Sequence, residues 1–332
     1  MGVAITELLP KKEIEISSLA GKKLAVDTSN VLYQLLSSIR QADGTPLMDS
    51  KGRVTSHLMG LSTRIPNLME QNLKLCFVFD GKAPRMKLTE QQNREKRKVK
   101  AEAKYAKASE EKDTGAMLKY SKQFTRMDRK IIEESKEFIQ ALGLPIIQAP
   151  SEAEAQASFM AEKKDVYAVV SQDTDSLLYS APRTIRNITS SNKRRVNGLY
   201  ITIKPEMIEL KETLKSLKIN QEQLIALSIL VGTDYNPKGV KGIGPKTALK
   251  LVREHKKFDK IFSNVETEFN WKEVYATFKN MPIIKNYKLR WKEPDLPKVE
   301  KILASHDFSE DRINRLLEKL KGKKQKSLDK WF

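Results

Sequence analysis

Four short apolar runs punctuate the first half of the chain: 22–27, 73–79, 145–148 and 166–170. Each is too short for a helix, and stretches of helical period separate them, so they read as buried strands. From Thr28 to Ile39, the residues Val31, Leu32, Leu35, Leu36 and Ile39 fall on one helical face, with Thr28 or Ser29 as the cap. Thr55 to Asn72 is a second helix, with a kink expected at Pro66. Strands alternating with helices predict an α/β fold with a mostly parallel central sheet flanked by helices. Arg183–Ile188 and Leu199–Ile203, joined by a polar loop holding Asn197-Gly198, predict a hairpin on one edge. From Gln221 onward the pattern is helical, with a break near 320.

Residues 82–130 break this rhythm. They are helix-prone with few apolar positions to bury, so the segment should project from the core, with Gly115 marking a break between two helices. The segment holds 16 Lys and Arg against 7 Asp and Glu, almost half of the whole chain's net charge of +19. Such a pair of helices is either a solvated face or a basic element that grips a phosphate backbone, and its place directly after Asp80 favours the second. An excess of 61 basic over 42 acidic residues points to nucleic acid or an anionic membrane surface. A hydrophobic share of 39% excludes a disordered basic tail. No apolar run approaches the roughly 20 residues of a membrane span. The single cysteine, Cys76, excludes a disulfide framework or a Cys-rich zinc site and reads as a small core side chain of an intracellular protein.

The acidic residues are not scattered. Asp27 and Asp80 close the first two strands, Glu152 and Glu154 follow the third, and Asp173 and Asp175 follow the fourth. In a parallel sheet these six share the edge where ligands bind. Each alone also fits a turn or helix cap, and Ser151 with Glu154 fits a capping box. As a set they repel one another unless a cation sits among them. The three histidines, His57, His255 and His306, show no paired spacing, so an all-oxygen site points to Mg²⁺ or Mn²⁺. Two such ions would activate a water and stabilise a leaving oxygen in phosphodiester hydrolysis. Gly232-Thr233-Asp234-Tyr235 offers a seventh carboxylate. Gly242-Ile243-Gly244-Pro245-Lys246 is a tight turn into a helix whose amides, with Lys241, Lys246 and Lys250, suit phosphate; it also fits a plain inter-helix turn. Near the end, Gln325, Leu328, Trp331 and Phe332 form a spaced apolar set that suits a partner's groove or folds back on its own domain.

In order along the chain, Val26-Asp27, Thr55-Ser56-His57-Leu58-Met59-Gly60, Val78-Phe79-Asp80-Gly81, Ala149 to Gln156, Ser171 to Asp175, Gly232 to Tyr235 and Gly242 to Lys246 resemble the flap endonucleases of the structure-specific 5′-nuclease family, archaeal members above all. Ala4 and Ala83 depart from the family's usual Pro. The resemblance implies two Mg²⁺ ions, with Mn²⁺ able to substitute, held by Asp27, Asp80, Glu152, Glu154, Asp173, Asp175 and Asp234. It implies that Lys87 and Arg94 stabilise the scissile phosphate, with Asp80 and Glu152 in the catalytic set. It implies DNA contacts by Tyr33, Arg40, Arg64, Lys87, Arg94, Glu152, Gly232, Asp234, Gly242, Gly244 and Lys246. One nuclease domain over 1–320 is implied: an N-terminal region to about 81, a helical arch over 82–130, an internal region over 131–232, a helix–two-turn–helix over 233–256 with a K⁺ ion, and a helical remainder. A flexible tail, 321–332, would bind the ring-shaped sliding clamp through Gln325, Leu328, Trp331 and Phe332. The implied activity is removal of 5′ flaps, with 5′–3′ exonuclease action, in replication and long-patch repair. The enzyme would be a monomer on its own, away from membranes, in the cytoplasm of an archaeal cell. Sibling nucleases that cut bubbles, junctions or ends, and a non-catalytic adaptor bound to the clamp, are the alternatives.

Overall fold

The computed structural model describes every residue except 1, 2, 4, 190–192, 197, 198 and 329–332, and backbone alone at 89, 193–196, 199–202 and 323–328. The chain packs as two compact units, each gathered from three stretches. Met1–Asn30, Val78–Gln92 and Gln148–Asn286 form the first, and Val31–Phe77, Asn93–Ile147 and Tyr287–Phe332 the second. The division falls inside a helix of the basic segment, between Gln92 and Asn93.

The strands are β1 (Lys12–Glu13), β2 (Lys23–Asp27), β3 (Lys74–Phe79), β4 (Ile146–Gln148), β5 (Ala168–Val170), β6 (Arg183–Arg186), β7 (Lys193–Val196), β8 (Leu199–Thr202) and β9 (Glu206–Glu209). Seven form one mixed sheet in the order β1-β9-β6-β5-β2-β3-β4. β5 runs parallel to β2 and to β6, while β9 runs antiparallel to β6 and β1. The Phe77 amide donates to Pro145 O and the Ala149 amide to Phe79 O, the slanted pattern of parallel strands. The expected hairpin is corrected. β6 pairs with β9, with Thr184 opposite Ile208, and β8 pairs with β7 in a separate two-stranded sheet. Thr184, Ile185 and Ile208 are all buried, so β6 needs an apolar neighbour. β9 supplies it from a four-residue stretch, Glu-Met-Ile-Glu, too short and charged to show a strand period. The Asn197-Gly198 turn lies outside the described residues.

The helices are α1 (Thr28–Ser38), α2 (Ser56–Glu70), α3 (Lys87–Glu110), α4 (Thr114–Ser121), α5 (Arg129–Ala141), α6 (Ala153–Glu162), α7 (Leu210–Leu217), α8 (Gln221–Val231), α9 (Pro245–His255), α10 (Phe258–Ser263), α11 (Trp271–Lys279), α12 (Leu296–Ala304) and α13 (Glu310–Leu328). None of the described helices is long and apolar enough to cross a membrane. The break in the basic segment comes before Gly115: Asp113 caps α4 by accepting from the Ala116 amide, and Lys112 takes a positive φ of 55°. α13 continues past 320 to Leu328, where the composition suggested a stop.

In the first unit, α8 buries every residue from Gln223 to Leu230 and packs with α9 and α11. Phe258, Phe262 and Trp271 stack to close that core. In the second unit, Leu58, Leu61, Ile65 and Leu68 of α2 form a buried stripe, and α2 packs on α5 and α13. Pro66 sits inside α2 without ending it. Cys76 is buried, and burial pushes its thiol up to about 12, as suits a core side chain. The basic segment does not stand free throughout. Tyr105 meets Phe124 edge-on at 5.4 Å and donates to Asp43 O at 3.3 Å, while Ala101, Ala108 and Met117 are buried.

The turn after β3 fixes the first unit's acidic edge. The Gly81 amide donates to Ser151 O at 2.7 Å and the Lys82 amide to Pro150 O at 3.1 Å. A Cβ at Gly81 would collide with the carbonyls of Ala149 and Pro150, all rigid backbone. Gly81→Ala should therefore cost about 1–3 kcal/mol of stability, read as a lowered urea midpoint. An unchanged midpoint would contradict the close approach.

Candidate functional site

All seven acidic residues singled out by the sequence belong to the first unit. Asp27 ends β2 and accepts from the Asn30 amide at 3.2 Å, so it caps α1 in place of Thr28 or Ser29. Asp80 follows β3 and accepts from the Ala153 amide at 2.7 Å, which makes it the side-chain cap of α6. Each is thus both a cap and a member of the acidic set. The proposed Ser151–Glu154 capping box is not made. Ser151 donates to Lys82 O at 2.9 Å, and Glu154 accepts from the Ser171 hydroxyl at 2.7 Å. Asp175 accepts from the Val3 amide at 2.8 Å, which ties the start of the chain into the site. Lys87, the first residue of α3, lies with its ammonium 2.7 Å from Glu152 and 3.3 Å from Asp234.

Burial and mutual repulsion dominate the electrostatics. Burial first, then Asp80, holds Asp27 well above the usual carboxylate range. Burial and then Asp175 do the same to Glu154. Asp175 is raised to about 7 by burial and then by Asp173. Burial pulls the Lys87 ammonium down, but Glu152 and Asp234 outweigh it and hold it above its ordinary range. Glu152 still sits above its own ordinary value, because burial, reinforced by Asp80, exceeds what Lys87 returns. Among the described residues, no three acidic, histidine or cysteine side chains are drawn to the spacing of a finished metal cage. Like charges keep apart, and Lys87 occupies oxygens of two of them. The donor set itself, oxygen only and short of positive charge, fits hard divalent cations.

Sequence reasoning missed Asn30 and the tyrosines behind the site. Asn30 donates to Asp173 at 3.1 Å and accepts from the Gln172 amide at 3.2 Å, so it joins the Asp27 and Asp173 loops. Its only signal is a place three residues after a strand-end Asp. Tyr179 and Tyr235 share a hydroxyl–hydroxyl bond of 2.6 Å. Both phenols are held well above their usual range, by burial first in each case.

The other expected contacts divide between the units. In the first, Gly232 and Gly242 take positive φ of 117° and 78°, and Gly244 is the N-cap of α9. Lys246, Lys250 and Arg253 line an open groove along α9. In the second, Tyr33 is exposed, with the Lys98 ammonium 5.7 Å from its ring centre. Arg40 donates to Leu36 O, Gly44 O and Thr125 Oγ1, and burial lowers its guanidinium. Arg64 is lowered by burial too. Arg94 lies on α3 two turns beyond Lys87. His57 and His306, unpaired by spacing, each come 3.2 Å from Glu134. Gln325 and Leu328 fall on the described backbone of α13, while Trp331 and Phe332 lie outside the described residues.

The chain matches the XPG N-terminal domain over residues 2–101 and the XPG I-region over 143–234. It is 49% identical to Flap endonuclease 1 of Pyrococcus abyssi, over all of this chain and 98% of that protein. Flap endonuclease 1 of Hyperthermus butylicus is 47% identical over all of this chain and 99% of that protein. The structure of flap endonuclease-1 from Methanococcus jannaschii superposes with a TM-score of 0.77 at 39% identity, covering 96% of this chain and 98% of that one. The catalytic core of Rad2 in complex with DNA substrate shares the fold, with a TM-score of 0.71 at 20% identity over 95% of this chain and 97% of that one.

A raised carboxylate binds its proton more tightly in the folded state, so its contribution to stability is lost as pH rises through the folded value. For Asp175 the window runs from about 4, the ordinary range, to about 7. In EDTA the melting temperature should therefore fall as pH rises from 5 to 8. Asp175→Asn should flatten that fall, and added Mg²⁺ should raise the melting temperature more at pH 8 than at pH 5. A wild-type melting curve independent of pH and Mg²⁺ would contradict this account of the acidic set.

Proposed function

The chain belongs to the flap endonuclease family, and we propose that its acidic crevice cuts 5′-flap DNA with two divalent cations, Mg²⁺ in the cell. The carrying observation is that the seven carboxylates belong to one compact unit, where Asp27, Glu154 and Asp175 are raised by burial and by their acidic neighbours and Lys87 lies between Glu152 and Asp234. Asp27, Asp80, Glu152, Glu154, Asp173, Asp175 and Asp234 would hold the ions. When bound, such ions supply charge neutralisation and an activated water for phosphodiester hydrolysis.

The chain's own groups position the substrate. The Lys87 ammonium, between Glu152 and Asp234, binds an oxygen of the scissile phosphate, and Arg94 adds a second cation along the same helix. The N-terminus of α9 and the Lys246, Lys250 and Arg253 face hold a duplex backbone without reading its sequence. The loop between α8 and α9 would hold the K⁺ ion. Tyr33, exposed on α1, offers a ring for an unpaired base, and Arg40 and Arg64 add charge near the junction. The α3–α4 segment is the arch, and the end of the chain, from Gln325 to Phe332, docks on a sliding clamp. These assignments make the protein a replication and long-patch repair nuclease with 5′–3′ exonuclease action.

Asp80→Asn keeps an acceptor for the Ala153 amide while removing a charge. It should leave DNA binding intact and slow flap cutting by roughly 10³-fold or more. Normal turnover would sink the metal assignment. In Mg²⁺, a double flap should be cut faster than a bubble or a four-way junction, with incision just inside the duplex. Preference for the bubble or junction would make the protein a sibling nuclease. Removal of 325–332 should preserve basal cutting and abolish stimulation by the clamp; undiminished stimulation would place the clamp contact elsewhere.

A further inference from the structure

Three of the seven carboxylates ride on two loops. Asp173 and Asp175 follow β5, and Asp234 follows α8. Behind these loops, Tyr179 and Tyr235 meet hydroxyl to hydroxyl at 2.6 Å. Both ends of this link are tied down. The Tyr179 amide donates to Asp175 O at 3.4 Å. The Tyr235 amide donates to the Thr233 hydroxyl at 3.1 Å, Thr233 donates to Asn236 at 2.6 Å, and Asn236 donates to Ile229 O on α8 at 2.7 Å. Phe278 of α11 packs on both rings, with centres 5.4 Å from Tyr179 and 5.0 Å from Tyr235. The preceding residue, Thr277, reaches Met86 Sδ at 3.4 Å, next to Lys87.

We propose that the Tyr179–Tyr235 hydroxyl pair is a positioning strut that fixes the spacing of the Asp175 and Asp234 loops and so raises the affinity of the site for divalent cations. The inference rests on the two-cation reading above. Two loops that carry like charges push apart, and a link between them must resist that push. A charged link would occupy carboxylate oxygens, as Lys87 does with Glu152 and Asp234. A bond between two phenols holds the loops while leaving the carboxylates available. Filling the space would require only the rings, so the hydroxyls are the part that ring packing does not explain.

The test is calorimetric titration of the metal-free full chain with Mn²⁺ alone, joined by the Mn²⁺-induced rise in melting temperature. Tyr179→Phe removes one oxygen and keeps the ring. Losing one hydrogen bond should weaken Mn²⁺ binding about three- to tenfold, with cutting restored at saturating metal. Tyr235→Phe should behave alike, and the double variant should be little worse than either single one. A lower melting temperature with unchanged Mn²⁺ affinity would assign the pair to packing alone and overturn the proposal. Additive losses in the double variant would overturn it as well. Wild-type protein that binds no Mn²⁺, or binds it undiminished in Asp175→Asn, would instead remove the two-cation reading.

Discussion

Seven carboxylates held within one compact unit against their own repulsion are the constraint on which the first unit's site depends. Burial keeps Asp27, Glu154 and Asp175 above their ordinary range, so the folded chain carries this strain. Three backbone amides, one ammonium and two polar side chains resist it: the amides of Val3, Asn30 and Ala153, Lys87, Asn30 and Ser171. Each amide comes from a segment other than its acceptor's strand or from the start of the next helix. Like charges gathered in this way lower the stability of the folded chain, the usual opposition between a charged site and stability.

The fold makes such a gathering cheap in chain length. Parallel strands end at one edge, and helices begin there, so a strand-end Asp is at once a member of the acidic set and a helix cap. Asp80 serves α6 in that way although α6 follows β4 rather than β3. The bare backbone of Gly81 lets the turn after Asp80 press on Ala149 and Pro150, which sets Asp80 beside the first turn of α6.

The second unit handles charge differently. Its share of the basic segment is stitched by ion pairs, Arg126 with Glu95 and Glu102, and by Tyr105 on Asp43 O. Exposed pairs of this kind contribute about 0.2–1 kcal/mol each. Arg40, by contrast, has its guanidinium committed to Leu36, Gly44 and Thr125.

Local pattern alone carried β2 to β5, α1, α2 and the six acidic residues that follow those strands, because strand period, helix period and strand-end position are short-range properties, while Asp234, after a helix, lay outside that pattern. It failed where pairing is long-range. β9 and β7 have no period of their own and are strands only because β6 and β8 need neighbours. The Ser151–Glu154 capping box failed for the same reason: Ser151 found Lys82 O and Glu154 found Ser171, partners that only the folded chain supplies. Asn30 and Tyr179 were illegible, since an Asn in a helix and a Tyr in a loop acquire meaning from what lies across from them. The chain by itself determined which residues could carry the chemistry. Tertiary structure decided their spacing and their neighbours, because repulsion and hydrogen bonding act across space between segments far apart in sequence.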